Sequence, residues 1–337
     1  MRSLHLRNVA AACAVGTAMI LAGCSSSTPQ AAPTTTWTSA RTPTTSSSTP
    51  SWQTPSALVV QSKNITSVPS NMQPTLSQAT APNDSFYLSG SSYMQTSCDP
   101  YSHVAEASSP TPCVYGDPAS SKVMVLFGDS HVGNWMPALN IVAKNMGYKL
   151  DAFEFPACST SPISIAATDE RSTACATWHT TLPKAVQALN PSIVIAVSGP
   201  SFEAHTASMR ADWASHLNST LTTMTAGNPT AQKIILGTSP PLTQPAPVCL
   251  SIHSSSVPSC ALNGAIAMEY YNDYLARDVK TAQVTKSRLI PVRQWFCTST
   301  YCGPIIGSTL VYTDKDHTTV AYSSSLAPSL QQALQSS

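Results

Sequence analysis

Lys122 to Leu139 reads KVMVLFGDSHVGNWMPAL. After Lys122 an uncharged Val/Met/Leu/Phe run stops at Gly128, and a helix-like apolar spacing resumes beyond Ser130. The pattern predicts a buried strand that turns sharply into a helix. Ser130 would then sit at the carboxyl end of the strand and beside a helix N-terminus, where backbone N–H groups and the dipole favour a developing negative charge. A nucleophile fits such a position. Gly, Asp and Ser are also ordinary turn and capping residues, so G-D-S alone carries no chemistry.

A second stretch, Tyr312 to Ser323, reads YTDKDHTTVAYS. Asp314 and His317 are three residues apart just before an expected last helix, so both side chains can leave one short loop on the same side. His317 could contact Ser130 through one ring nitrogen while Asp314 holds the other, a triad defined by geometry and not by chain order. Asp316 is nearer to His317 in sequence and competes for the orienting role. G-D-S-H at Gly128 to His131, with D-x-x-H at Asp314 to His317, resembles the SGNH hydrolase and acyltransferase superfamily. Within it, the likeness is to the extracytoplasmic SGNH domain attached to many membrane-bound acyltransferases that O-acylate bacterial surface glycans. It runs from about Val68 to the C-terminus, and its D-x-x-H pattern selects Asp314.

The chain between the two stretches alternates. Apolar runs at Lys122–Phe127, Lys149–Phe155, Ser192–Ser198, Lys233–Gly237 and Ser287–Val292 read as strands. Helices are expected at Gly133–Met146, Ala174–Leu189, Ala207–Thr225, Gly264–Thr285 and about Thr318–Gln335. Nearly continuous apolar strands separated by helices indicate a parallel sheet covered on both faces. The expected fold is therefore α/β, a three-layer α/β/α sandwich. The resemblance adds a mostly parallel five-stranded, flavodoxin-like sheet. Ligands in such folds bind beyond the carboxyl ends of the strands. Ser130 follows the first strand and Asp314 and His317 follow the last, so pattern and triad converge on one edge.

Of 337 residues, 42% are hydrophobic, enough for one sizeable core. Only 10% are charged and the formal net charge is +1, which excludes the basic surface a nucleic-acid partner requires. Met1 to Cys24 begins with Arg2 and Arg7, continues through the apolar run Val9–Leu21, and ends Leu21-Ala22-Gly23-Cys24. The run is too short to span a bilayer. L-A-G-C resembles the bacterial lipobox, which implies a signal peptide over residues 1–23, lipidation at Cys24 and an extracytoplasmic, membrane-anchored protein. Residues 24–67 are rich in Ser, Thr, Pro and Gln and read as a disordered tether of about 35 Å as a flexible coil. Residues 68–337 are the expected catalytic domain.

Ten cysteines are present. Setting aside Cys13 and Cys24 leaves an even set in a chain that reads as exported. They fall in near-neighbour pairs, Cys98 with Cys113, Cys158 with Cys175, Cys249 with Cys260 and Cys297 with Cys302, and sequential disulfides are the expected pairing. No pair has C-x-x-C spacing, and His103, His179, His205, His216 and His253 show no H-x-H or H-E-x-x-H pattern, so neither a metal site nor a cofactor is expected. Trp135, one helix turn beyond Ser130, reads as core or as a pocket wall.

The superfamily commonly supplies oxyanion donors from a Gly after its second strand and an Asn in a G-x-N-D block after its third. Here the third strand ends Ala196-Val197-Ser198-Gly199-Pro200-Ser201, without Asn. The candidate oxyanion and binding groups are therefore Gly128, Asp129, the Ser130 N–H, Ser198 and Gly199; His131 reads first as a loop group beside the nucleophile and second as a group that touches substrate. The resemblance implies acyl transfer to or from an O-acylated cell-envelope glycan, with a membrane-embedded acyltransferase as a potential partner. The alternative is a glycan-binding or scaffolding lipoprotein that keeps the fold without the chemistry.

Overall fold

The computed structural model describes residues 51–79, 107–162, 170–200 and 206–336. The expected signal peptide, Cys24, the tether as far as residue 50, Cys98, His103 and His205 lie outside the described residues.

The strands in chain order are β1 Cys113–Gly116, β2 Val123–Gly128, β3 Lys149–Glu154, β4 Ile193–Val197, β5 Gln232–Leu236, the short β6 Leu262–Asn263 and β7 Arg288–Ile290. The main helices are α1 Ala57–Gln61, α2 Val132–Met146, α3 Glu170–Ala188, α4 Ala207–Met224, α5 Ala246–Ile252, α6 Gly264–Thr285, α7 Val320–Ser325 and α8 Ala327–Gln335. Six strands form one sheet in the order β1-β3-β2-β4-β5-β7. The five expected strands pair in parallel. Their order is the flavodoxin-like doubly wound one, whose topological switch point falls between β2 and β4. The sixth strand, β1, joins the edge antiparallel to β3. The composition gave no sign of it, because its four residues sit within a Pro/Thr/Asp-rich stretch.

Strand alternation divides the core. Met124 and Leu126 of β2, Ile193 and Ile195 of β4 and Ile234 of β5 pack with Leu139 and Val142 of α2 and Leu330 of α8. Val123, Val125 and Phe127 of β2 and Val194 and Ala196 of β4 face the other way, against Trp178 and Val186 of α3 and Leu217 and Leu221 of α4. Each fully buried aliphatic side chain contributes about 1.5–3 kcal/mol by leaving water, so a strand apolar on both faces is committed to the middle layer.

Two segments differ from expectation. The last helix is two, α7 and α8, broken at Leu326. Pro328 lacks an N–H and fits only the first turn of a new helix. Residues 51–67, assigned to the tether by composition, carry α1, whose Val59 is buried in the core. The apolar run Ala57-Leu58-Val59-Val60 anchors a segment that otherwise reads as linker. No helix among the described residues is long and apolar enough to cross a membrane.

Cys158–Cys175, Cys249–Cys260 and Cys297–Cys302 are disulfides, as sequential pairing predicted. Cys113 is also disulfide-bonded.

Candidate active site

The turn after β2 is built by close approach. Gly128 pairs with Val197 of β4, and a Cβ on it would lie 2.0 Å from the Val197 carbonyl oxygen. Only glycine lets the two strands meet there. Asp129, fully buried, then bridges the strand ends: its Oδ1 accepts the His131 N–H at 2.8 Å and its Oδ2 accepts the Gly199 N–H at 2.7 Å. The Val132 N–H donates to the Asp129 carbonyl and the Gly133 N–H to that of Ser130, so the chain enters α2 without a spacer. Ser130 therefore stands at the switch-point edge of the sheet.

His317 reaches the same point from the loop before α7. Asp314 Oδ1 accepts the N–H groups of Asp316 and His317 at 2.8 and 2.7 Å, while its Oδ2 lies 2.7 Å from His317 Nδ1. That carboxylate fixes the tautomer: Nδ1 carries the proton and Nε2 the lone pair. Nε2 lies 2.8 Å from Ser130 Oγ. The three residues that the two sequence stretches singled out thus form one hydrogen-bonded line.

Asn134, which nothing in the sequence singled out, clamps the loop to α2. Its Oδ1 accepts the Thr318 N–H at 2.9 Å and its Nδ2 donates to the Asp316 carbonyl at 3.1 Å, while the Thr318 hydroxyl donates to the Asn134 carbonyl at 3.2 Å. The Tyr312 hydroxyl donates to the Pro240 carbonyl at 2.6 Å and fixes the loop's entry.

Charge is concentrated here. Burial pushes the Asp314 carboxyl up, but the hydrogen bonds and charge of His317 outweigh it and hold Asp314 well below the usual carboxylate range. Burial pushes the His317 imidazolium down, and the hydrogen bond and charge of Asp314, with Asp316 and Asp129, reverse this and leave its pKa above the ordinary histidine value. Asp316 Oδ1 stands 3.3 Å from the same Nδ1, so Asp314 holds the closer contact of the two competing acids. Burial raises the Asp316 carboxyl, partly offset by His131 and His317. His131 is 3% exposed, its ring 4.8 Å from that of His317.

The block after β4 differs from the expected role. The Gly199 N–H is committed to Asp129, so it is not an oxyanion donor in this arrangement. The Ser198 hydroxyl is hydrogen-bonded to that of Thr160, and the Ser198 carbonyl accepts from the Thr238 hydroxyl at 3.0 Å. Behind them is a buried ion pair from α6, Arg277 with Asp278 at 2.9 Å. Arg277 donates to the Gly199 carbonyl at 3.3 Å and packs over the Trp213 ring at 4.8 Å; Asp278 accepts the Thr238 N–H at 3.0 Å. Side chains of a neighbouring helix fix this strand end.

Trp135 is core, packed edge-on against Trp295 and Phe296. His216 and His253 are exposed, while His179 lies against the Cys158 sulfur at 3.5 Å.

Among solved structures, the chain is similar to the periplasmic domain of a lipopolysaccharide acetyltransferase from Salmonella ser. Paratyphi A. The two are 14% identical with a TM-score of 0.51, covering 65% of this chain and 85% of that one. It is also similar to a carbohydrate acetylesterase of Sinorhizobium meliloti, at 14% identity, TM-score 0.41 and coverage of 63% and 98%. An inhibitor-bound aryl esterase of M. smegmatis aligns at 16% identity, TM-score 0.41 and coverage of 64% and 98%. No curated protein sequence matches the chain. Residues 97–332, which carry the strand-to-helix turn, the D-x-x-H loop and all six strands of the main sheet, match the family described as the SGNH domain fused to AT3 domains, and the chain belongs to that family.

Proposed function

We propose that this chain is a serine acyl-transfer enzyme in which Ser130 is the nucleophile, His317 the general base and acid, and Asp314 the group that orients His317. The observation that carries this is the hydrogen-bonded line from Ser130 Oγ through His317 Nε2 and Nδ1 to Asp314, with steps of 2.8 and 2.7 Å. Ser130 Oγ attacks an ester carbonyl as its proton passes to Nε2. The tetrahedral species collapses when His317 returns that proton to the leaving alkoxide, giving an acyl-serine. An acceptor hydroxyl, or water, then gives up its proton to Nε2, attacks the acyl carbonyl and frees Ser130. The depressed Asp314 carboxyl stays ionised and stabilises the imidazolium formed in each half.

The substrate we infer is an O-acyl group on a cell-envelope glycan. This rests on membership of a family fused to acyltransferase domains and on the likeness to a lipopolysaccharide acetyltransferase domain. A membrane-embedded acyltransferase is the matching donor, and lipidation at Cys24 would keep the domain at the extracytoplasmic face beside it. The commitment of the Gly199 N–H to Asp129 favours a second reading, a glycan-binding module without turnover, because it removes one expected oxyanion donor.

Intact-mass measurement after exposure to p-nitrophenyl acetate separates the two. The enzyme reading expects an acetyl adduct or p-nitrophenol release that falls by about a thousandfold or more in Ser130→Ala. Equal activity in a folded Ser130→Ala protein would remove Ser130 as nucleophile. A folded wild type with neither adduct nor release, even with glycan acceptor and the membrane partner supplied, would leave the binding module.

A further inference from the structure

His131 is an anomaly in the site. It is 3% exposed, yet neither ring nitrogen has a hydrogen-bond partner, and the Asp129 Oδ1 atom 3.3 Å from Nδ1 is out of line for one. A buried polar group left in this state costs free energy and calls for a ligand. The ring is wedged against the backbone of Gly199, where even a Cβ would come within 2.3 Å of Nδ1, so rotation toward that side is blocked. Ligand-capable atoms of His131, Asp316 and His317 all lie within 4.8 Å of one another. Asp129 and Asp314 add two carboxylates to that of Asp316, and no Lys or Arg among the described residues forms an ion pair with any of the three. Two imidazoles and a carboxylate around a surplus of negative charge are the donor set of zinc and its borderline-soft neighbours.

We propose that His131, Asp316 and His317 form a site for a divalent cation of the zinc type, and that its occupation switches off the triad. The first half rests on the geometry alone; the second rests on the acyl-transfer reading above. Closing the ligands onto an ion at about 2.0–2.2 Å requires side-chain shifts of about 1 Å or less, and His317 has the room for its share because it is only half-buried. The blocking follows from electron counting. A neutral imidazole has one lone pair in the ring plane. If the cation takes it at Nε2, the Ser130 proton has no acceptor. If it takes the lone pair at Nδ1, the ring proton must reside on Nε2, with the same consequence. Metal occupation and general-base catalysis by His317 exclude each other at either nitrogen. The sequence hides this set, because its members are separated by 185 positions from 131 to 316 and only the fold brings them together.

The test is calorimetric titration of the full-length chain with Zn2+ in the Ser130→Ala background, which leaves the ligands in place and gives a readout without turnover. One ion per chain is expected, weakened at least about tenfold by His131→Phe and by Asp316→Asn, with cobalt(II) giving visible absorption of a tetrahedral or five-coordinate site. A second variant guards against misfolding, and each is checked by its thermal transition. No binding by the folded parent, or equal affinity in both folded variants, overturns the site. In the wild type, Zn2+ should abolish ester turnover and a chelator restore it. Stoichiometric binding at this site with undiminished turnover overturns the switch. A protein inert with and without chelator, yet binding Zn2+, keeps the site, overturns the switch and counts against the acyl-transfer reading itself.

Discussion

A methyl group on residue 199 would meet the His131 ring at 2.3 to 3.1 Å, because the turn after β4 lies directly on the imidazole. Gly199→Ala should therefore lower the thermal transition by the equivalent of about 1–3 kcal/mol, the usual cost of forcing atoms into a filled space. In a His131→Ala background the obstruction is gone, and adding Gly199→Ala should cost a small fraction of that. A double-mutant cycle followed by thermal unfolding reads the coupling directly, and additive losses would show that the contact does not limit packing. At this scale the sequence revealed the residues whose chemistry is local. G-D-S-H and D-x-x-H each sit on one turn, and the two together, read through the family resemblance, singled out Ser130, His317 and Asp314, which lie within hydrogen-bond reach. Asn134 and Arg277 were invisible. Each reaches the site through a partner far along the chain, the Asn134 amide with the Thr318 N–H 184 positions away and Arg277 with the Gly199 carbonyl 78 positions away. A charged residue at helical spacing reads as a solvated face until the fold buries it.

Among the elements, α6 holds the end of β4 and α3 holds the loop after β3. The Arg277–Asp278 pair on α6 is buried and hydrogen-bonded to Gly199 and Thr238, so it fixes the end of β4 where the expected Asn of the third block is missing. On α3, Cys175 is joined to Cys158 in the loop after β3, and His179 lies one helix turn farther on, against the Cys158 sulfur. Burial lowers the His179 pKa from 6.5 to about 4. The unfolded chain thus takes up this proton before the folded one, and the folded state binds fewer protons between those values. Stability is complete above pH 6.5 and is lost as the pH falls toward about 4, by up to about 3 kcal/mol from this residue. Urea unfolding across this range should show that loss in the wild type and a flatter profile in His179→Gln; parallel profiles would remove His179 as the source. Helix positions were legible because 3.6-residue periodicity and end signals agree, as for α6, read at Gly264–Thr285 and observed there. β1 was not, since four residues cannot establish an alternation.

For the whole molecule, composition misplaces the start of the folded domain. Residues 51–67 are mostly polar, yet several are built into the body. Val59 and Ser62 are buried, and the Ser62 hydroxyl donates to the Val59 carbonyl at 2.7 Å. The Thr66 carbonyl accepts the Val257 N–H at 3.0 Å, and the Ser51 hydroxyl accepts from the Gln332 amide of α8 at 2.8 Å. A Cβ on Gly307 would lie 3.6 Å from the Leu58 side chain, so α1 also stands beside the loop leading toward the D-x-x-H segment. A chain beginning at Val68 would uncover part of the core and strand the Val257 N–H, whereas one beginning at Ser48 keeps every one of these contacts. Burial of one Val is worth about 2 kcal/mol and an orphaned buried N–H costs about 1–3 kcal/mol. The shorter chain should therefore be less stable by about 3–5 kcal/mol, a difference large enough to read as a shift of several degrees in thermal unfolding. It should retain ester turnover at low temperature, because the described hydrogen bonds that join Ser130, His317 and Asp314 run between these three residues and not to residues 51–67. Equal stability of the two chains would return residues 51–67 to the tether and move the domain start back to Val68. A shorter chain that is stable but inactive would instead make α1 part of the site's support.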